Sequence, residues 1–265
     1  MGAVVLATSL TTHAFAGTPL AAHRAVYDIS LKKAEQRSGI SGVTGRMVIE
    51  FAGNTCDGWT VNFRMVNNFN LGGGKKRTLD SRSSMWESGT NEQMRYVQSQ
   101  YVDSNLQEEK ELRANLSSDK KGGTGAITKP NEEAFDLPEN VYFPIDHQLK
   151  LVKAAEAGQN RDETLVYDGS DGTAPTVAIT FIGNRQKKLY QNTEEKLKAV
   201  NTLEGWPITI SYYKIKDNEQ VTPDYQISMQ LFENGVSGDM VLNYGDFVLD
   251  AKLSNIEMLE MPECK

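Results

Sequence analysis

Apolar side chains recur at every second position over most of this chain, and no other feature constrains the fold as much. Ala25, Tyr27, Ile29 and Leu31 alternate with Val26, Asp28, Ser30 and Lys32. Met47, Ile49 and Phe51 form a second run, ended by Gly53-Asn54, and Trp59, Val61, Phe63 and Met65 line one face of a third. A period of two puts alternate side chains on opposite faces of a pleated strand, so each run predicts a half-buried strand. Similar runs follow at about 76–88, 92–103 and 105–116, then near 163–168, 175–183, 186–194, 206–216, 222–234 and 238–257. Ten or more strands separated by Gly, Asn and Asp turns predict an all-β, antiparallel fold and not βαβ units.

One segment breaks the alternation. Pro144-Ile145-Asp146 leads into a stretch rich in Ala, Leu, Lys, Gln and Glu that stops at Gly158. These are strong helix formers, so a helix is expected over 146–157, with Asp146 as N-cap and Gly158 as the C′ glycine. Leu149, Val152 and Glu156 share one stripe, and Leu151, Ala154 and Ala155 lie beside it. An apolar face of that width predicts a helix packed into the mouth of the sheet. The polar stretch 117–125 is the best linker candidate, yet it is short enough for a hairpin loop. With no repeat at a fixed period and no clear linker, residues 17–265 are expected to form one domain.

The charge balance narrows the partners. With 28 basic and 35 acidic residues the formal net charge is −7, which disfavours nucleic acid, since phosphate binding needs a concentrated basic face. No apolar run approaches the roughly eighteen residues of a membrane-spanning helix. Residues 1–16 differ from the rest: a small apolar segment, Ala3 to Leu10, closes on Ala14-Phe15-Ala16, the small-x-small pattern of a signal-peptidase site. Without a basic n-region it reads as a signal-peptide remnant, and hence as export. The alternative is an unstructured tail.

Of the two cysteines, Cys56 sits in a Gly-Asn-Thr-Cys-Asp-Gly turn and Cys264 is the second-last residue. Two cysteines without a nearby histidine make no four-ligand zinc site, and their spacing is not that of a redox Cys-x-x-Cys motif. They are either two free thiols or one structural disulfide in an oxidising compartment. A bridge would close a loop of roughly 210 residues, worth up to about 5 kcal/mol in chain entropy.

Catalytic signatures are sparse. His13 falls in the leader, which leaves His23 and His147. There is no His-Glu-x-x-His helix and no Gly-x-Ser-x-Gly elbow. A hydrolase reading would bring His147 or His23 to a carboxylate such as Asp146 or Asp168; the plainer reading gives both histidines structural hydrogen bonds. Gly72-Gly73-Gly74-Lys75-Lys76-Arg77 lacks P-loop spacing and reads as a hairpin with a solvated basic strand. Asp168-Gly169-Ser170-Asp171-Gly172 has too few ligands for a calcium loop and reads as a tight turn. No metal or cofactor is expected. The aromatics, Tyr27, Phe51 and Phe63 among them, are either core or the lining of a lipid-sized cavity.

Several segments together resemble one family. His23-Arg24-Ala25-Val26-Tyr27-Asp28-Ile29, Ser38-Gly39-Ile40-Ser41-Gly42 and Gly45-Arg46-Met47 are similar to the opening of the EipB-type envelope-integrity proteins of the alphaproteobacterial periplasm. The similarity continues through Cys56-Asp57-Gly58-Trp59, Leu137-Pro138, Phe143-Pro144, His147 with Ala154-Ala155, Val166-Tyr167-Asp168-Gly169-Ser170 and Cys264. The resemblance implies a spiral-like β-barrel with one main helix, like the lipoprotein carriers of the LolA and LolB type, closed by a disulfide between Cys56 and Cys264. It further implies a non-enzymatic periplasmic protein that maintains the envelope as a scaffold or a carrier. Its expected partners are periplasmic or outer-membrane proteins, a tetratricopeptide-repeat protein among them, and a lipid or lipoprotein ligand, with no nucleic acid and no stable membrane insertion. The alternative is an envelope-acting hydrolase with a pocket near His147.

Overall fold

The computed structural model describes residues 20–188, 190, 195–215 and 222–264; the expected leader, 1–16, lies outside them. Eight strands come first, as an up-and-down meander: β1 (His23–Ala34), β2 (Ile40–Asn54), β3 (Gly58–Leu71), β4 (Lys76–Glu87), β5 (Gln93–Val102), β6 (Asn105–Leu116), β7 (Gly123–Lys129) and β8 (Glu133–Leu137). The short β9 (Val141–Tyr142) leads into helix α1 (Pro144–Glu156). The second half holds β10 (Arg161–Val166), β11 (Thr176–Ile182), β12 (Gln186–Lys187), the short helix α2 (Lys198–Asn201), β13 (Glu204–Lys214), β14 (Tyr225–Phe232), β15 (Ser237–Asn243) and β16 (Phe247–Met258).

All sixteen strands of the described residues belong to one sheet, in the order β8-β7-β6-β5-β4-β3-β2-β1-β16-β15-β14-β13-β11-β10-β9, with β12 also on β13. Its two edge strands, β8 and β9, are separated by three residues in the chain, so the sheet rolls into a nearly closed barrel with its seam there. The β1–β16 pair, running from His23↔Met258 to Ala34↔Phe247, joins the two halves.

The alternation reports the inward face. Ala25, Tyr27 and Ile29 are buried while Arg24, Asp28 and Ser30 are exposed. Outside, cross-strand ion pairs link Arg24 to Glu50, Arg46 to Asp28 and Arg64 to Asp80, and Arg82 pairs with Asp80 along β4. Hydrogen bonds from Arg82 and Arg64 hold the Asp80 carboxyl down at about 2. Such surface pairs are each worth about 0–1 kcal/mol and serve mainly to fix register.

The disulfide is formed: Cys56 and Cys264 are bonded with Cα atoms 5.7 Å apart. Buried Asn54 organises this end. Its Oδ1 accepts the N–H groups of Cys56 (2.8 Å) and Asp57 (2.7 Å), and its Nδ2 donates to the carbonyl of Pro262 (3.0 Å).

Four expectations need correction. Residues 117–122 form the hairpin loop that the stretch was short enough to be, and 123–125 already belong to β7, but strands β7 to β9 were not expected. Gly125 hides β7: it sits opposite Phe135 of β8, whose ring covers it and would have to move to admit a Cβ. The run 238–257 is two strands, turning at Tyr244-Gly245-Asp246, where Gly245 has φ 81°. The run at 186–194 keeps only Gln186–Lys187 as strand among the described residues. Finally, α1 starts two residues earlier than expected, because Pro144 fits the first helical turn, where an N–H has no partner to lose. Phe143 takes the N-cap position without a side-chain bond, and Asp146 lies inside the first turn. Gly158 ends the helix as expected, at φ 73°, with Gly158 N–H on Ala155 O and Gln159 N–H on Ala154 O.

The inward face of α1 divides between two parts of the core. Ile145 packs with Trp59, Met94 and Phe143, whereas Leu151, Val152, Ala154 and Ala155 pack with Trp206, Ile208 and Leu231. Burying Ile145, Leu151 and Val152 stabilises this packing by about 1.5–3 kcal/mol each. Glu156, expected on the apolar stripe, is exposed.

Candidate functional site

The alternation that builds the wall also leaves space inside it. A cavity of about 390 Å³ lies in the barrel interior. Tyr27 of β1, Phe51 of β2, Val61 and Phe63 of β3 and Met85 of β4 form one wall. Ile227 of β14 and the Asn234–Ser237 turn face them, and Pro144, Ile145 and Gln148 of α1 close the space.

A buried carboxyl group positions the start of α1. The first turn of a helix leaves N–H groups without intrahelical partners. Here Glu87, at the end of β4 and fully buried, accepts the N–H of Ile145 at 2.8 Å and that of Asp146 at 3.3 Å. Burial pushes the Glu87 carboxyl up to about 8, against the opposing pull of these two hydrogen bonds. Asp146 itself accepts from Lys120 Nζ (2.6 Å) and Asn91 Nδ2 (3.1 Å), and the Lys120 ammonium lies 3.7 Å from the Tyr142 ring centre. On the other side, Gln148 Nε2 donates to the Gly235 carbonyl at 2.6 Å. The helix is thus tied to both halves of the barrel.

The cavity wall is mostly apolar, and several of its polar groups are tied to neighbouring backbone. No Asp, Glu, Lys or Arg is among the described residues lining it. His23 Nδ1 donates to Ala21 O at 2.7 Å, its ring stacks on Phe51, and burial lowers its pKa. Tyr27 Oη donates to Ser237 O at 2.7 Å.

His147 lies elsewhere, on a smaller cavity of about 170 Å³ that it shares with Asp168 and Tyr212. The nearby carboxylate is neither Asp146 nor Asp168 but Asp162 of β10, whose Oδ2 is 3.9 Å from His147 Nε2, beyond hydrogen-bond reach. Asp162 is already held by Lys150 (2.6 Å) and Thr164 (2.6 Å). Burial lowers the His147 pKa to about 4, so the ring is neutral, and its Nε2 has no hydrogen-bond partner. Asp168 accepts the N–H and hydroxyl of Ser170 at 2.8 and 2.7 Å, the tight turn expected of that loop. His23 and His147 therefore face different cavities, and Asp168, which shares the His147 cavity, has its carboxylate bonded to Ser170. Among the described residues no group of three or more His, Cys, Asp or Glu side chains is placed to hold a metal ion.

Two residues that matter here, Glu87 and Asp162, were not singled out from the sequence. Both carried a signal: Glu87 stands in phase with inward Met85, and Asp162 in phase with inward Thr164 and Val166. A carboxylate on the buried phase of a strand is rare enough to ask what it binds.

Comparison with known proteins places this geometry. A family model described as EipB-like matches residues 14–260. The cell envelope integrity protein EipB of Brucella abortus (strain 2308) is 33% identical over 241 residues, spanning 91% of this chain and 85% of that protein. A crystal structure of a β-barrel-like protein of a domain of unknown function, also from Brucella abortus, superposes with a TM-score of 0.84 at 32% identity, covering 91% of this chain and 99% of that one.

Proposed function

This chain belongs to the EipB-like family, and from that premise we propose that it supports cell-envelope integrity in the periplasm as a non-enzymatic carrier of an apolar lipid or lipoprotein moiety. The observation that carries the reading is the apolar cavity of about 390 Å³ beneath α1, within the usual range of ligand sites. The outward face of β1 to β4 bears cross-strand ion pairs, and charges on a lipid-facing barrel wall are costly, so the protein works in water and is not inserted in the membrane. Support for a non-enzymatic role comes from His147, which is neutral and joined to no nucleophile. A carrier hands its ligand on, so periplasmic or outer-membrane proteins, a tetratricopeptide-repeat protein among them, enter as donor and acceptor.

Native mass spectrometry of protein purified from its own envelope under mild conditions tests this reading. The expected result is a bound lipid species released on unfolding; bare protein in every preparation would contradict it.

A further inference from the structure

We infer that the cavity beneath α1 takes a single acyl chain, recognised along its hydrocarbon length alone, with the head group left outside. This rests on the carrier reading and makes its ligand specific. The first argument is capacity. A cavity of about 390 Å³ lies near the lower end of the roughly 300–1,000 Å³ range of ligand pockets, a size that suits one medium-length chain better than the two tails of a diacyl lipid.

The second argument is chemistry. Several polar side-chain atoms on the wall are tied to the wall itself. His23 bonds to Ala21 O, Tyr27 to Ser237 O and Gln148 to Gly235 O, while Asn234 Oδ1 accepts the Val236 N–H. No Asp, Glu, Lys or Arg among the described residues lines the cavity to meet a carboxylate, phosphate or ammonium group, and burial disfavours the charged form of His23. A charged head drawn inside would lose its hydration without compensation, whereas methylene groups gain about 0.8 kcal/mol each on leaving water.

The third argument is the shape of the enclosure. The wall crosses four neighbouring strands, β1 to β4, a span of ~14 Å at the ~4.8 Å strand spacing. Such a slot is long relative to its volume, which suits one extended chain.

The test uses the full chain titrated with four probes: lauric acid, lauroyl-lysophosphatidylcholine, dilauroyl-phosphatidylcholine and a triacylated lipopeptide. Calorimetry gives affinity, and native mass spectrometry gives stoichiometry. The expected result is one lauric acid or one lysolipid per chain, with affinities within about threefold of each other, and dilauroyl-phosphatidylcholine at least about tenfold weaker. The lipopeptide arm identifies an acylated protein as a source if it binds as tightly as the lysolipid through one of its tails. Val61→Trp fills the slot and should weaken both single-chain probes at least about tenfold, and Phe63→Ala should shift the optimum to longer chains. Should either variant fail to fold, a chain-length series on the unaltered protein still locates the optimum. Equal or tighter diacyl binding, two chains per protein, or binding of one head-group class alone would overturn the single-chain inference and leave the carrier reading standing. Failure of all four probes to bind would overturn both.

Discussion

Glu87 and His147 are buried ionisable groups whose titrations run in opposite directions. Burial raises Glu87 from 4.5 to about 8, so between those values the folded state binds more protons than the unfolded one. Its contribution to stability therefore falls as pH rises through that window and levels off above it. Glu87→Gln keeps an oxygen acceptor for the start of α1 and removes the titration. Relative to that variant, the unaltered protein should lose about 1.4 kcal/mol of stability per pH unit inside the window, measured by denaturant unfolding at several pH values. Parallel curves would show that Glu87 is not the titrating group. For His147 the pKa falls from 6.5 to about 4, so its contribution is fully present above 6.5 and is lost as pH drops toward 4. His147→Leu removes a ring nitrogen with no partner. It should leave stability at pH 7 within about 1 kcal/mol, flatten the acid limb and leave envelope function intact. Loss of function with intact stability would revive the hydrolase reading.

At the scale of elements, β7 and β8 form the least obvious hairpin, and its tight point is the Phe135 ring over Gly125. Gly125→Val should destabilise the protein by about 1–3 kcal/mol, and adding Phe135→Ala should recover part of that loss in a double-mutant cycle of unfolding free energies. Strict additivity would place the cost elsewhere. This hairpin also shows where reading by pattern runs out. Strands β1 to β6 were legible because each buries one face over at least part of its length, which imprints a period of two. Strand β7 was not, because its pattern is broken by a glycine whose purpose is a ring on the next strand. The start of α1 was misread for a related reason: its cap comes from Glu87, 57 residues before Pro144, where local capping rules cannot look. The cavity was half legible. Tyr27, Phe51 and Phe63 were marked as core or lining, and alternation gives the face of a side chain but not what stands opposite it.

For the whole molecule, closure comes from the β1–β16 pairing, from α1 tied to both halves, and from the bond between Cys56 and Cys264 across 208 residues of chain. Reduction, or Cys56→Ser with Cys264→Ser, should lower the unfolding free energy by up to about 5 kcal/mol, read from the denaturant midpoint, while the barrel persists at neutral pH. An unchanged midpoint would mean that the bridge constrains nothing the sheet does not already hold. The central claim concerns the space these links enclose. Methyl NMR of the protein titrated with a spin-labelled single-chain lipid addresses it most directly. The methyl signals of Ile49, Val61 and Ile227, which line the cavity, should broaden first and saturate at one equivalent, while those of Ile182 and Ile208 stay sharp. Broadening confined to exposed Val97 and Leu106, or none at all, would contradict it.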